Sequence, residues 1–131
     1  VGQLAGMLKN VSDTLAAFAR DLGQERMKRV LVLAMSEFGR TVKENGTRGT
    51  DHGHGGIMLA LGGTVKGGKV YGKWTGLESA ALYEGRDMPV HTDFRIVFAE
   101  VLRSFLGFPK LDGFFPEFRP QGSMLGFLQK A

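Results

Sequence analysis

Two short clusters hold the side chains of this 131-residue chain that are best suited to chemistry. The first reads Ser-Glu-Phe-Gly-Arg-Thr at residues 36–41, and the second reads Gly-Thr-Asp-His-Gly-His-Gly-Gly at residues 49–56. In the second cluster, Asp51 offers a carboxylate oxygen, and His52 and His54 offer imidazole nitrogens, which are donors that zinc accepts in proteins. The glycines between them allow an irregular backbone on which neighbouring side chains can converge. This cluster predicts a metal site.

The geometry of such a site depends on the backbone, because consecutive side chains of a regular strand point to opposite faces. A metal shared by Asp51 and His52 therefore requires an irregular turn, or two metals, one on each side. The first cluster adds Glu37, as a further ligand or a general acid or base. It also adds Arg40, whose guanidinium can fork onto phosphate or sulfate oxygens. The alternative is a surface loop whose polar side chains only hydrogen-bond turn backbone, and spacing alone leaves both interpretations open.

The elements around these clusters predict an α/β fold. Apolar residues recur every three or four positions over residues 4–22, which is typical of an amphipathic helix, and Gly23 is a suitable residue to end it. Residues 29–35 and 57–61 are continuous apolar runs, as expected of strands buried on both faces. A helix that leads into such a strand favours a parallel sheet. Residues 64–71, with two glycines at their centre, predict an edge hairpin.

A second helix is predicted after Thr92 or Asp93, either of which can cap its first turn, and Gly107 is expected to follow its end. The apolar, phenylalanine-rich stripe of residues 94–105 is expected to lie in the core. The tail from residue 110 has no periodicity, yet its phenylalanines predict that it packs onto the rest of the chain. Together these patterns predict one domain over residues 1–131, with three α/β/α layers, a mostly parallel sheet and an edge hairpin.

The order of the motifs resembles a bacterial family of uncharacterised proteins, often exported by the twin-arginine route and grouped with the sulfatase and alkaline-phosphatase superfamily. The resemblance spans about residues 28–107 and includes both clusters, Gly-Gly-Lys-Val-Tyr-Gly at 67–72 and Thr-Asp-Phe-Arg at 92–95. It implies the C-terminal portion of an alkaline-phosphatase-like fold and a periplasmic or exported location. It also implies metal-dependent hydrolysis of phosphate or sulfate esters.

The same resemblance implies that Asp51 and His52 are metal ligands, because the superfamily has a recurrent Asp-His-Gly metal motif that residues 51–53 match. Zinc is the expected metal, and calcium or magnesium would be accepted with oxygen-rich partners. The chain departs from the superfamily in lacking a recognisable nucleophile or acidic ligand upstream of residue 36. We therefore expect it to hold half of a site, as a C-terminal fragment of a larger protein.

The fragment interpretation has one further consequence, and the function has one alternative. A fragment would leave one apolar face of residues 30–35 and 57–61 exposed, which predicts a homo-oligomer. The alternative function is a non-catalytic binding module whose glycine-rich loop grips an anion, a glycan or a partner protein.

The composition narrows the classes of partner. The chain has 17 Lys and Arg against 13 Asp and Glu, a net charge of +4, but its basic residues are scattered. We therefore do not expect nucleic acid as a partner. The resemblance to the sulfatase and alkaline-phosphatase superfamily implies a small anionic ester or anion as the ligand. The absence of cysteine excludes disulfides and thiolate metal sites. No apolar run approaches the roughly 20 residues of a membrane-spanning helix, and no export signal is recognisable.

Overall fold

The computed structural model of the chain describes residues 2–120 and 124–129. Within those residues the chain is a mixed α/β structure with two α-helices, a short 3-10 helix and two small antiparallel sheets. The elements in chain order are α1 (Gln3–Met27), β1 (Leu31–Met35), β2 (Gly39–Arg40), β3 (His52–Gly53), β4 (Met58–Gly62), the 3-10 helix (Ser79–Ala81) and α2 (Phe94–Ser104). Neither α-helix of this described part combines the length and the apolar character that crossing a membrane requires.

The first helix forms where the sequence predicts it, and Gly23 interrupts it. Gly23 has a φ of +67°, in the left-handed region that glycine adopts without steric cost. The chain bends at this residue and then continues as a last helical turn to Met27, which is buried. The prediction of a helix is thus confirmed, and the predicted end is a kink followed by one more turn.

The main sheet pairs β1 with β4 in antiparallel orientation, with Leu31 opposite Gly62 and Met35 opposite Met58. The prediction of a mostly parallel sheet is therefore wrong. A parallel pair needs a crossover connection, usually a helix, between its strands. Residues 36–57 contain no helix and instead fold into the small β2–β3 hairpin, so the chain re-enters beside β1 in the opposite direction.

The predicted edge hairpin is also wrong. Residues 64–71, all of which the structure describes, form no strand pair with each other. Val65 instead forms an antiparallel bridge with Leu128, and the Lys66 N–H donates to the carbonyl of Phe127 over 2.8 Å. The C-terminal segment 124–129 thus takes the backbone hydrogen bonds that a local hairpin would have used.

The core lies where α2 and the C-terminal segment meet one face of the β1–β4 sheet. Val97 of α2 packs with Phe127 and Leu128 as its fully buried centre, and partly buried side chains surround them. These are Leu31, Leu33, Met58, Val65, Tyr71, Val101, Phe105 and Leu125. The tail therefore packs as predicted. The prediction that the whole stripe of α2 is core is wrong at Phe94, which is half exposed.

The strands are less buried than their composition predicts. Leu31, Val32, Leu33 and Ala34 are only half-buried, and Met35 is exposed. On β4, Leu59 is exposed as well. The expectation of strands buried on both faces is therefore wrong, because a two-stranded sheet with α2 on one side leaves much of its other face uncovered.

Two carboxylates stabilise α2, one at its first turn and one at its contact with the C-terminal segment. Asp93 caps α2 by accepting a hydrogen bond from the Arg95 N–H over 2.9 Å, as one of the two predicted caps would. Glu100, buried on α2, accepts from the N–H groups of Gly126 and Leu128 over 2.8 and 3.0 Å. The second contact holds the C-terminal segment against the helix.

Candidate functional site

The β2–β3 hairpin joins the two polar clusters. Gly39 pairs with Gly53, and Arg40 pairs with His52. A Cβ on Gly39 would lie 1.8 Å from the Gly55 carbonyl oxygen, and a Cβ on Gly53 would lie 2.5 Å from the Arg40 carbonyl carbon. Neither separation is possible, so glycine at both positions is what allows the two backbone segments to approach so closely.

One face of this hairpin carries two nitrogen-bearing side chains over an aromatic ring. Arg40 and His52 are directly opposite, and residues that are opposite in a ladder share a face. The His52 ring lies 4.0 Å from the Phe38 ring, centroid to centroid, and the Arg40 guanidinium lies over the same ring at 5.9 Å. The Arg40 Nη1 donates to the Thr50 carbonyl over 2.8 Å. All three side chains of this face, which we call the Arg40–His52 face, are exposed.

Asp51 has a different set of neighbours. Its backbone pairs with Thr41, whose N–H donates to the Asp51 carbonyl and whose Oγ1 accepts from the Asp51 N–H, each over 3.1 Å. Its carboxylate accepts a hydrogen bond from the Asn45 side-chain amide over 2.8 Å. The hydrogen bond from Arg86 to Asp87 is the main cause that raises the pKa of Arg86, and the charge of Asp51 makes the smallest contribution. Asp51 immediately precedes β3, and its carboxylate is held by Asn45, whereas the His52 ring packs on Phe38.

The remaining predicted residues lie apart from this face. The His54 ring stacks on the Tyr83 ring at 4.1 Å with an angle of 12° between the planes. Glu37 is exposed in the connection between β1 and β2. The structure therefore brings Arg40 and His52 together and gives Asp51 and His54 partners of their own.

These residues do not fit a metal centre by themselves. Among the residues that the structure describes, no group of three or more His, Asp and Glu side chains is close enough to hold a metal ion. One Asp51 carboxylate oxygen is engaged by Asn45, and the His52 and His54 rings pack on aromatic rings. The assignment of Asp51, His52 and His54 as ligands stays a prediction that requires donors from elsewhere.

Three residues that shape this region are not singled out by the sequence patterns: Phe38, Asn45 and Tyr83. Phe38 was detectable, since it lies two residues before Arg40, and residues two apart in a strand share a face. Asn45 shapes the loop by accepting from the N–H groups of Thr47 and Gly49, which is a common role for asparagine in turns. Tyr83 lies 29 positions after His54, and no local pattern links them.

The comparisons with known proteins give a family and no named relative. A search of curated proteins and a search of solved structures each found no match. Residues 2–103 match the family model described as "Protein of unknown function (DUF1501)". This match covers more than half of the chain, from the start of α1 almost to the end of α2, and it contains both polar clusters. The chain therefore belongs to the DUF1501 family.

Proposed function

We propose that the chain binds an oxyanion, as the phosphate or sulfate group of a small ester, on the Arg40–His52 face. The observation that carries this proposal is the cross-strand pair of Arg40 and His52 beside Phe38. A guanidinium is always charged and presents several N–H donors that match the oxygens of phosphate or sulfate. An imidazole next to it adds a further donor, and the net charge of +4 attracts anions to the chain.

The local packing supports this role because it orients the donors before a ligand arrives. The Thr50 carbonyl accepts from one terminal nitrogen of Arg40, so the rest of the fork stays available to a ligand. The ring of Phe38 supports both Arg40 and His52. The carboxylate of Asp51, the residue before His52, accepts a hydrogen bond from Asn45, whereas Arg40 donates to the Thr50 carbonyl. A side chain held in place loses less entropy when it binds.

Inorganic phosphate and inorganic sulfate are suitable probes of this proposal in titration calorimetry. We expect both to bind, and we expect Arg40→Ala and His52→Ala each to weaken binding about tenfold or more, since a hydrogen bond to a charged group is worth roughly 1.5–3 kcal/mol. Lys43→Ala is the matched control, because Lys43 is an exposed cation of the same loop that contacts neither ring. Equal affinity of wild type and Arg40→Ala would contradict the proposal.

The resemblance to the sulfatase and alkaline-phosphatase superfamily extends the proposal from binding to metal-dependent hydrolysis. In this extension the chain is the C-terminal portion of an alkaline-phosphatase-like α/β fold in a periplasmic or exported protein. Asp51, His52 and His54 would contribute ligands for zinc, calcium or magnesium, and Glu37 would serve as a ligand or as the acid or base. The exposure of Asp51 and His52 at β3 supports this extension, because further ligands can reach them there.

Metal analysis separates the extension from simple anion binding. Hydrolysis predicts that the protein retains a divalent metal close to stoichiometrically and that His52→Ala lowers the occupancy. Phosphate binding that survives a chelator, with unchanged metal content in His52→Ala, would remove the hydrolase and leave the anion-binding module. The alternative binding module could also recognise a glycan or a partner protein instead of an anion. Either of these two ligands predicts no phosphate binding at all.

A further inference from the structure

The first helix leaves large apolar side chains in contact with solvent. Met7 is 66% exposed, Leu8 58%, Val11 47% and Phe18 43%. A helix that packs with its whole apolar stripe against a core would bury such side chains. Four exposed apolar side chains on one helix exceed the scattered single ones that are normal on a protein surface.

Six large apolar residues of α1 follow a heptad pattern, and the exposed Met7 lies beside it. The successive spacings of the six are 4, 3, 4, 3 and 4, and the residues are Leu4, Leu8, Val11, Leu15, Phe18 and Leu22, which we call the α1 seam. Leu8, Val11 and Phe18 of the six are exposed, and the other three are half-buried. A repeat of 3.5 residues is the pattern by which two helices pack side by side over a shared apolar line. The seam ends one residue before the kink at Gly23, so it occupies the uninterrupted part of the helix.

The residues beside the seam allow a close approach of a second helix. The flanking positions carry Ala5, Met7, Ser12, Thr14 and Ala19, which are uncharged, and one charged residue, Asp21. The charged side chains of Lys9, Asp13 and Arg20 fall outside the seam and the flanking positions. A partner helix could therefore contact the seam with a single charged side chain, Asp21, at the edge of the contact, where it keeps access to water.

The total accessible surface of the chain is too large for a compact monomer. It measures 9750 Å², whereas the scaling of surface with mass gives about 6,800 Å² for a compact monomer of 14.3 kDa. The excess of roughly 2,900 Å² is larger than the roughly 800 Å² that each partner buries in a stable protein–protein interface. The chain thus exposes more surface than a compact monomer does, and a dimer interface of ordinary size would cover part of this excess.

We propose that α1 is a dimerisation helix, whose seam packs antiparallel against the seam of a second copy of this chain. The order of spacings is the same read from either end, so the seam is complementary to itself in the reversed direction. Leu4 of one copy then meets Leu22 of the other, Leu8 meets Phe18, and Val11 meets Leu15. Antiparallel pairing also places opposite ends of the two helix dipoles together.

The charges favour a second copy as the occupant. Helix α1 is electrically neutral, with three basic and three acidic residues, although the chain as a whole has a net charge of +4. A strongly charged partner would have nothing to complement on this helix, whereas two copies of a neutral helix meet without repulsion. The proposal is independent of the oxyanion site, because neither Arg40 nor His52 lies on α1.

The mass of the 131-residue chain in solution tests the proposal directly. Light scattering after size-exclusion chromatography should give twice 14.3 kDa for the wild type. We expect the double variant Leu8→Glu/Val11→Glu to give 14.3 kDa, because it would place four carboxylates in the dimer seam. The matched control is Asn10→Glu/Ala17→Glu, which adds the same charge to exposed positions of the same helix outside the seam and should remain dimeric.

Cross-linking tests the direction of the helices and does not depend on a disruptive variant. The chain has no cysteine, so a single introduced thiol is unique. In the antiparallel pairing, Ser12 lies beside its own copy across the two-fold axis, so Ser12→Cys should be joined efficiently by a short bismaleimide. Ala17→Cys, outside the seam, should not. A wild type that is monomeric at high micromolar concentration, a dimeric seam variant or equal cross-linking of the two thiols would overturn the proposal.

Discussion

At the start of α2, Asp93 combines a helix cap with an ion pair. Its Oδ1 accepts from the Arg95 N–H, and the Arg95 guanidinium donates to both of its carboxylate oxygens over 2.6–3.1 Å. The same guanidinium lies 3.9 Å above the ring of Phe118, so one residue links the first turn of α2 to the tail. The cap stabilises the first turn of α2. The ion pair holds the Arg95 guanidinium that contacts the Phe118 ring in the tail.

Two substitutions separate these contributions. We expect Asp93→Ala to lower the free energy of unfolding by about 1–2 kcal/mol, because it removes the cap and the ion pair. Asp93→Asn keeps a capping oxygen and loses only the charge, so its cost should stay at about 0.5 kcal/mol. Urea denaturation of both variants measures the difference. Equal losses would mean that the cap does not stabilise α2.

The ion pair also predicts a pH dependence. The hydrogen bond from Arg95 is the main cause that lowers the pKa of Asp93 below its ordinary 3.8 in the folded chain. The unfolded chain therefore binds this proton at a higher pH than the folded chain does. The stabilisation is complete above the unfolded pKa and is lost as the pH falls through the folded pKa. The gap in melting temperature between wild type and Asp93→Asn should close from about pH 6 to about pH 2; a constant gap would contradict this.

Glu100 makes a prediction for the C-terminal segment. Its buried carboxylate accepts from two backbone N–H groups, those of Gly126 and Leu128. Glu100→Gln turns one acceptor into an N–H donor facing an N–H, so we expect a loss of about 1–3 kcal/mol in the free energy of unfolding. Glu78→Gln, at an exposed position, is the matched control and should change stability by no more than about 0.5 kcal/mol. Equal effects of the two would show that the segment is not held by this carboxylate.

The candidate site shows what can be predicted at the level of single residues. The types and spacing of Arg40, Asp51 and His52 predict that residues 36–56 carry the chemistry of the chain. They could not predict that His52 would lie in a regular ladder opposite Arg40, because that ladder depends on two glycines packing backbone against backbone. Asp51 is held by Asn45 and His52 packs on Phe38, whereas the predicted metal site would have both side chains converge on one metal.

At the scale of elements, the helices were predictable and the sheet was not. The apolar periodicity of α1 and the cap of α2 are local signals, and each helix forms near its predicted position. The direction of β4 depends on how residues 36–57 bring the chain back, which no local pattern specifies. The bridge between Val65 and Leu128 likewise joins segments far apart in sequence, so a hairpin signal at two glycines was misleading.

The hairpin itself can be tested through its glycines. Gly39→Ala would place a Cβ 1.8 Å from a backbone oxygen of Gly55, so one of the two backbone segments must move. We expect a loss of stability of about 1–3 kcal/mol and the loss of phosphate binding, since Arg40 and His52 would no longer be held opposite each other. Gly46→Ala is the control, because no heavy atom lies within 4 Å of its added Cβ. Similar behaviour of the two variants, measured by thermal denaturation and calorimetry, would refute this account of β2 and β3.

At the scale of the whole molecule, the surface exceeds what a compact chain of this mass exposes. The sequence predicted an exposed apolar face at residues 30–35 and 57–61, and the structure does leave Met35, Ile57 and Leu59 exposed. The α1 seam was not among those residues, because an amphipathic stripe is ordinarily interpreted as the side of a helix that faces its own core. The periodicity of a sequence predicts that one side of a helix is apolar. It does not specify whether the core of the same chain or a second chain buries that side.

If the seam binds a second copy, the stability of the chain depends on its concentration. Association draws the equilibrium away from the unfolded state by mass action, so the melting temperature of the wild type should rise as the chain is concentrated. Leu8→Glu/Val11→Glu should melt at a temperature that does not change with concentration, because a monomer unfolds in a unimolecular step. The control Asn10→Glu/Ala17→Glu should follow the wild type. Calorimetry over a wide range of concentrations measures this, and a wild-type melting temperature independent of concentration would mean that the seam does not contribute to folding through a second copy.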